Sequence, residues 1–138
     1  DLSLAKIIDT SFRDVFFKGC KMLGLMFDSC NAFGLSFRFE DCNLANCSFY
    51  QTKIVKTIFR NSDLKDVDFT ECNLSGSLFE NCDLLNATFD RTNLEKSDLS
   101  TAFNYSINPQ TNRIKKAKFG RAGLHGLLDQ YDIKIEDV

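Results

Sequence analysis

The chain has 138 residues, of which 43% are hydrophobic, and its formal net charge is −2. That length allows one domain, and the hydrophobic share suffices for a continuous core. No segment approaches the ~18 apolar residues needed to span a bilayer, and no basic and then apolar segment opens the chain as a secretory signal would. We therefore expect a cytoplasmic protein without a membrane partner.

The first 27 residues carry an apolar side chain at every fifth position, at Leu2, Ile7, Phe12, Phe17, Met22 and Phe27. A helix repeats near 3.6 residues and a strand at 2, so a period of five fits neither. It predicts a coil that turns a corner every five residues, which is typical of a solenoid. Because the array opens in mid-repeat on Asp1, without an evident cap, we expect further residues upstream in the native protein.

The period is interrupted between Phe27 and Phe39, which are two residues further apart than two repeats. An insertion therefore lies within residues 28–38. Four side chains compete there for the inward positions, Ala32, Phe33, Leu35 and Phe37. A small bulge that the coil absorbs and a functional loop both remain open.

From residue 39 the period of five continues without a break through residue 99. Thirteen successive central positions carry Phe, Leu or Ile: Phe39, Leu44, Phe49, Ile54, Phe59, Leu64, Phe69, Leu74, Phe79, Leu84, Phe89, Leu94 and Leu99. The residue two before each centre is small or of middling size, apart from Phe37, so both positions are expected to point inward. The residue just before the centre is often Asn or Asp, as at Asn43 and Asp63, where a short polar side chain supports a tight turn.

Two of these units, Cys42-Asn43-Leu44-Ala45-Asn46 and Ser62-Asp63-Leu64-Lys65-Asp66, resemble the A-(D/N)-L-x-x unit of pentapeptide-repeat proteins. The resemblance implies an all-β fold, a right-handed quadrilateral β-helix with four pentapeptides per coil. The centres would then stack in columns, with two walls of Phe facing each other: Phe39, Phe59 and Phe79 on one side, and Phe49, Phe69 and Phe89 on the other. Such an interior leaves no cavity for a substrate.

After Leu99 the array loosens. Residues 103–113 contain the only proline and are predicted to be irregular, whereas Phe119 restores one repeat in phase with Leu99. The solenoid is thus predicted over residues 1–119, with a C-terminal segment at 120–138. An apolar stripe at i, i+3, i+4 and i+7 predicts a short α-helix in that segment, with Leu124, Leu127, Leu128 and Tyr131. The helix would cap the last coil, and the family resemblance implies that it also forms a homodimer.

All six cysteines fall on the inward position two before a centre: Cys20, Cys30, Cys42, Cys47, Cys72 and Cys82. We expect buried free thiols, with one disulfide between Cys20 and Cys42 left open, since stacked coils would hold them at a compatible distance. No Cys-x-x-Cys pair occurs, and the single histidine, His125, is remote in sequence, so no metal site is expected. No phosphate loop or nucleophile motif occurs either, and neither a cofactor nor an enzymatic activity is expected.

The charges are distributed unevenly. Five basic residues fall within nine positions, Arg113, Lys115, Lys116, Lys118 and Arg121, which predicts an acidic rod with a basic end. Without interleaved aromatic residues, this end is expected to be a solvated face or a dimer rim, and no direct nucleic-acid contact is expected.

Six carboxylates are expected to point outward on two adjacent faces and are named here the acidic edge: Asp63, Asp66, Asp68, Glu71, Asp83 and Asp90. Two functions are open. One is a protein-binding scaffold with an unknown partner. The other follows from the resemblance, because the quinolone-resistance members of the family resemble duplex DNA in width and charge and bind DNA gyrase. The acidic edge would then occupy the basic saddle of a type II topoisomerase and modulate quinolone sensitivity.

Overall fold

The structure, a computed structural model, describes residues 1–137 and shows a parallel β-solenoid; Val138, the last residue of the predicted C-terminal segment, lies outside the described residues. Six short strands stack along one side: β1 (Val15–Lys18), β2 (Phe37–Glu40), β3 (Ile58–Arg60), β4 (Leu78–Glu80), β5 (Asp98–Leu99) and β6 (Lys118–Phe119). Each strand pairs in parallel with the next in chain order. Phe59 pairs with Phe39 on one side and with Phe79 on the other, which confirms the coil of four pentapeptides.

Each coil has four faces, which we name after the first centre of the regular array. The Phe39 face contains the strands β1 to β6. The Leu44 face comprises residues 42–46, 62–66 and 82–86, the Phe49 face residues 47–51, 67–71 and 87–91, and the Ile54 face residues 52–56, 72–76, 92–96 and 112–116. Single parallel bridges join the coils on these three faces, among them Asn43 with Asp63, Ser48 with Asp68 and Lys53 with Asn73.

The corners are turns that the polar residue before each centre stabilises. The Oδ1 atoms of Asn43, Asp63 and Asp68 accept hydrogen bonds from the backbone N–H two residues later, at 3.1, 2.9 and 2.8 Å. The residue two after the centre then takes a positive φ, as at Asn46 (62°) and Lys96 (60°). The predicted role of Asn and Asp at this position is therefore confirmed.

The interior is a herringbone of aromatic rings. Phe39, Phe59 and Phe79 stack in one column with ring centroids 5.3 and 5.1 Å apart. Phe49 and Phe69 stack in the facing column at 5.6 Å, and rings from opposite columns meet edge to face, as between Phe59 and Phe69 at 6.0 Å. These are the arrangements that the ring quadrupole favours. The two predicted walls of Phe are confirmed, and the five rings are fully buried.

The two-residue insertion lies within residues 32–35. The N–H of Asn31 donates to the carbonyl of Thr10 at 2.8 Å, at the separation that the regular array uses between coils. Val15, however, pairs with Phe37, 22 residues ahead, where the regular repeat is 20. The coil has therefore absorbed the two extra residues between Asn31 and Phe37.

The insertion forms a small bulge with Phe33 at its tip. Leu35 and Phe37 enter the core, whereas the Phe33 side chain is 69% exposed. The bulge turns at Gly34, which has a φ of 68°, a conformation that suits glycine best. The guanidinium of Arg13 lies 4.7 Å from the centroid of the Phe33 ring, so the ring stacks under a cation and does not fold back into the core.

The chain leaves the repeat after Phe103 and returns to it before β6. Tyr105 and Ile107 are buried at 3% and 1% exposure, whereas a strict period of five from Leu99 would place the centres at positions 104 and 109. Asn93 then bridges to Arg113, and Leu99 pairs with Phe119. The predicted return to phase at Phe119 is thus confirmed.

The short C-terminal helix is present, but its predicted α-helical geometry is wrong: the segment forms two 3₁₀ helices, Arg121–Leu127 and Asp129–Tyr131. Gly120, Gly123 and Gly126 recur at the three-residue period of a 3₁₀ turn. They lie so close to Ser100 and Tyr105 that a Cβ at any of them would overlap these residues. Close packing of the three glycines against the last coil therefore favours the 3₁₀ helix over the α-helix. Within residues 1–137 no helix combines the length and the apolar character that crossing a membrane requires.

We predict that Phe69→Ala lowers the free energy of unfolding by about 3–5 kcal/mol, because it removes a buried ring from both the stack and the edge-to-face contacts. Phe103→Ala is the matched control, since that ring is 43% exposed, and it should cost less than about 1 kcal/mol. Denaturant titrations of the two variants measure the difference. Equal losses would contradict the herringbone core.

Candidate functional site

The hydroxyl groups inside the corners serve the fold, which directs attention to the outer faces and the ends for function. The hydroxyl of Thr57 donates to the carbonyl of Ile54 at 2.6 Å, and that of Ser97 donates to the carbonyl of Leu94 at 2.6 Å. Each bond satisfies a small polar side chain at the position two before a centre, inside the corner. These groups are therefore occupied in holding the turns.

The cysteines occupy the same inward position and are buried, apart from the half-buried Cys20. Burial raises the pKa of Cys47, Cys72 and Cys82 to about 12. All six thiols are free, so the disulfide between Cys20 and Cys42, which the sequence left as a possibility, is not formed. Among residues 1–137 no three potential metal ligands of the Cys, His, Asp or Glu type gather at one place.

One half of the acidic edge lies on the Leu44 face. Asp63 and Asp83 bridge neighbouring coils directly. The Lys65 ammonium lies between their carboxylates, with Nζ 3.4 Å from Oδ2 of Asp63 and 3.9 Å from Oδ2 of Asp83. Asp83 also accepts a hydrogen bond from the side-chain amide of Asn104 at 3.1 Å. Both carboxylates are therefore partly neutralised by a single lysine.

The other half lies on the Phe49 face and has a similar cation. The Arg91 guanidinium is 3.2 Å from Glu71 and 3.5 Å from Asp90. Gln51 donates a hydrogen bond of 2.8 Å to Glu71. That bond, together with the charge of Arg91, lowers the pKa of Glu71, while the carboxylate raises the pKa of the adjacent Tyr50. Glu71 thus stays ionised between its two partners, Gln51 and Arg91.

Asp66 and Asp68 are the two members of the acidic edge without an ion pair among residues 1–137. Asp66 is exposed at a corner with a φ of 59°, and one oxygen of Asp68 is committed to its turn. The structure brings the six predicted residues to two adjacent faces. Since four of them are paired with Lys65 or Arg91, the edge is less negative than a count of its carboxylates indicates.

The Ile54 face has the opposite charge, a feature that the sequence analysis missed. Its four segments contain one acid, Glu95, and six basic residues: Lys53, Lys56, Lys96, Arg113, Lys115 and Lys116. The predicted basic end is therefore part of a basic side. Grouping the outward residues by face, with a repeat of 20, is the step that would have revealed it, because Lys53 and Lys56 lie far from the C-terminal cluster in sequence.

The five lysines of the Ile54 face are exposed, and none makes an ion pair within the described part of the chain. Only Arg113 is engaged, by a contact of 2.8 Å with Glu95. Lys65 on the acidic edge is thus paired with neighbouring carboxylates, whereas the charges of the Ile54-face lysines are exposed to solvent.

The four predicted residues of the C-terminal segment separate into two groups. Leu127 packs against the core, and the segment docks on the last coil through a 2.9 Å bond from the Ile107 N–H to the Gly126 carbonyl. Leu124, Leu128 and Tyr131 are 44%, 37% and 51% exposed. Their side lies beside an open groove whose lining includes Leu124, Leu128, Ile133 and Ile135.

Comparison with known proteins identifies the repeat. Residues 10–99 match the family model described as pentapeptide repeat region, while a search of curated proteins gives no match. A trypsin-treated variant of QnrB1, a plasmid-mediated fluoroquinolone resistance protein, aligns with a TM-score of 0.77 at 14% identity, over 94% of this chain and 62% of its own. A pentapeptide repeat protein from the Arabidopsis thaliana thylakoid lumen aligns with a TM-score of 0.51 at 20% identity, over 72% and 61%. The alignments thus span about three fifths of each of these structures.

We predict that Cys47, Cys72 and Cys82 resist a thiol reagent such as DTNB in the native protein and react on unfolding, with half-buried Cys20 reacting first. Burial raises their pKa from the ordinary value of 9.0 to about 12, which suppresses the reactive thiolate. The unfolded chain therefore loses these protons at lower pH than the folded chain. Their contribution to stability should be complete below pH 9 and should decline as the pH rises from 9 towards 12.

Thiol counting in native and denaturing buffer, with thermal unfolding followed across this alkaline range, measures both effects. The Cys47→Ala variant should react with one thiol fewer on unfolding and be unchanged in the native assay. Native labelling of these three thiols as fast as that of Cys20 would show that burial does not protect them.

Proposed function

Because the chain belongs to the pentapeptide-repeat family, we propose that it is a non-enzymatic scaffold that binds a protein partner through its outer faces and pairs with a second copy through its C-terminal segment. The observation that carries this proposal is the filled interior. Phe39, Phe59 and Phe69 are fully buried, and the Phe59 ring contacts both of the others, so side chains occupy the space that a substrate would need. Catalysis requires convergent groups in a concave, water-poor site, whereas the charged residues here project from flat faces.

Homodimerisation is supported by the apolar surface of the C-terminal segment. Leu124, Leu128, Tyr131, Ile133 and Ile135 follow one another closely in sequence, and each is more than one third exposed. Contiguous apolar surface of this kind marks interaction sites in soluble proteins. A two-fold interface would bury the same patch on both copies, and Leu127 would stay in its own core.

We predict that Leu124→Ser with Leu128→Ser converts a dimer into a monomer without unfolding the solenoid, because both side chains project from the cap. Leu85→Ser is the matched control, since Leu85 is 44% exposed on the Leu44 face and should leave the assembly unchanged. Sedimentation velocity at micromolar concentration reads the mass, and circular dichroism checks the fold. A wild-type chain that sediments as a monomer, or a double variant that remains dimeric, would refute the proposed interface.

A second candidate is a DNA mimic that binds a type II topoisomerase of the gyrase kind and modulates quinolone sensitivity. The acidic edge supports it, since six carboxylates against two cations occupy two adjacent faces of the rod, and a protein that holds duplex DNA presents a basic surface. The likeness to a fluoroquinolone resistance protein concerns the fold. Because Lys65 and Arg91 pair with four of the six carboxylates, we rank this candidate second to a scaffold with another partner.

The test combines Asp63→Asn, Asp66→Lys and Asp68→Asn. Asparagine keeps the Oδ1 atom that accepts each turn hydrogen bond, while Asp66 is free to change sign at an exposed corner. We predict that this variant folds normally and loses the protein partner, because the edge has become four charges more positive. The measurement is a pull-down, accompanied by a supercoiling assay with purified gyrase and the wild-type protein.

The matched control makes the same change of charge on the Phe39 face, with Asp98→Asn, Asp41→Lys and Glu80→Gln. Asp98 has the same turn bond as Asp63, and Asp41 has a φ of 54°, close to that of Asp66. This control should retain the partner. If both variants retain the protein partner, the acidic edge is excluded as the binding surface. If the wild-type protein leaves the supercoiling activity of gyrase unchanged, the second candidate is excluded.

A further inference from the structure

We propose that the Ile54 face docks on the surface of an anionic phospholipid bilayer, with its lysines against the headgroups and Phe33 as an apolar anchor. This proposal is independent of the protein partner, which would bind the acidic edge on the Leu44 and Phe49 faces. It departs from the expectation of no membrane partner, because a peripheral contact needs no spanning helix.

The Ile54 face carries charge that is available for a partner. Lys53, Lys56, Lys96, Lys115 and Lys116 are exposed, and none is paired within residues 1–137. The Leu44 half of the acidic edge lies on the opposite face and its Phe49 half on an adjoining face, so none of the six carboxylates lies on the Ile54 face itself. A rod that is weakly negative overall can therefore approach an anionic surface in one orientation, with the Ile54 face leading.

The Ile54 face is also regular in shape. Parallel bridges join Lys53 to Asn73, Asn73 to Asn93 and Asn93 to Arg113, and they hold four successive coils in register. The corner residues Lys56, Lys96 and Lys116 share almost the same backbone angle, with φ of 56°, 60° and 61°. The cations therefore project from one flat surface. A flat surface can meet a planar bilayer with all of them at once, whereas it touches a cylindrical duplex along a narrow strip.

The same side of the rod has an apolar component. The bulge at residues 32–35 lies between Phe27, which stacks on Phe49, and β2 on the Phe39 face, so it occupies the place that residues 52–56 occupy one coil later. Phe33 at its tip is 69% exposed and Val55 is 38% exposed. Arg13, stacked on the Phe33 ring at 4.7 Å, adds a cation beside it. Aromatic side chains next to lysine and arginine are the combination that binds at the boundary between headgroups and acyl chains.

The bulge is the place where the array departs from its period, and the departure places an aromatic ring in water. A core-directed bulge would have buried Phe33, as it buries Leu35 and Phe37 at 8% and 5% exposure. Exposure of a phenyl ring to water is unfavourable in free energy. Insertion of the ring into a bilayer interface is favourable, and each nearby lysine adds electrostatic attraction to phosphatidylserine-type lipids.

Flotation with vesicles tests the proposal on the full chain, using phosphatidylcholine alone or mixed with phosphatidylserine. The wild type should float with the mixed vesicles and not with phosphatidylcholine alone, and added salt should weaken binding. Lys96→Gln with Lys115→Gln and Lys116→Gln should reduce the affinity on the order of a hundredfold. Phe33→Ser should reduce it while leaving the salt dependence unchanged.

The matched control removes three exposed lysines elsewhere, with Lys6→Gln, Lys21→Gln and Lys134→Gln, and should bind mixed vesicles with nearly the affinity of the wild type. Equal loss in both triple variants would mean attraction by net charge alone and would overturn the proposed face. No flotation of the wild type would overturn it too. A duplex DNA oligonucleotide that binds the wild type and not the Lys96, Lys115 and Lys116 variant, in the absence of vesicle binding, would assign the face to nucleic acid instead.

Discussion

The fold depends on placing equivalent side chains above one another at the spacing of neighbouring strands. Phe59 illustrates the constraint, because it stacks on Phe39 and Phe79 within its column and meets Phe69 edge to face across the interior. A ring in that position is satisfied only if the next coil supplies another of similar size at the same height. The strict period of five, the four faces and the absence of an internal cavity between these rings all follow from this requirement.

The same constraint explains how much the sequence predicts. The inward positions must be apolar or small, so their period gives the five-residue unit and the site of each cysteine directly. The four units per coil, and with them the columns, follow from the resemblance to pentapeptide-repeat proteins. The Asn and Asp residues before the centres predict the turns because their side chains act on backbone only two residues away. Interactions this local can be read from the order of residues alone.

Where the period fails, the sequence predicts less. Within residues 28–38 several apolar residues suit the core, and only the folded structure shows that Leu35 and Phe37 enter it while Phe33 does not. The glycines at 120, 123 and 126 weaken an α-helix but fit a 3₁₀ helix. The 3₁₀ geometry depends on their close packing against Tyr105, which the sequence does not show. The candidate surfaces depend likewise on contacts between coils: Lys65 neutralises Asp83 from a coil away, and the lysines of the Ile54 face form a group only after the chain has been wound.

The backbone hydrogen bonds between coils have a mechanical consequence. Those from Leu44 to Asp63, Phe49 to Asp68 and Ile54 to Asn73 each connect one coil with the next and therefore point along the rod. Tension applied along the axis would load the coils in series, so that the weakest junction opens while the others remain intact. Two junctions lack the regular bridge on one face, the one beside the bulge at residues 32–35 and the one beside residues 104–112. Under load the rod should therefore open first at one of these two junctions and leave the regular coils between them wound.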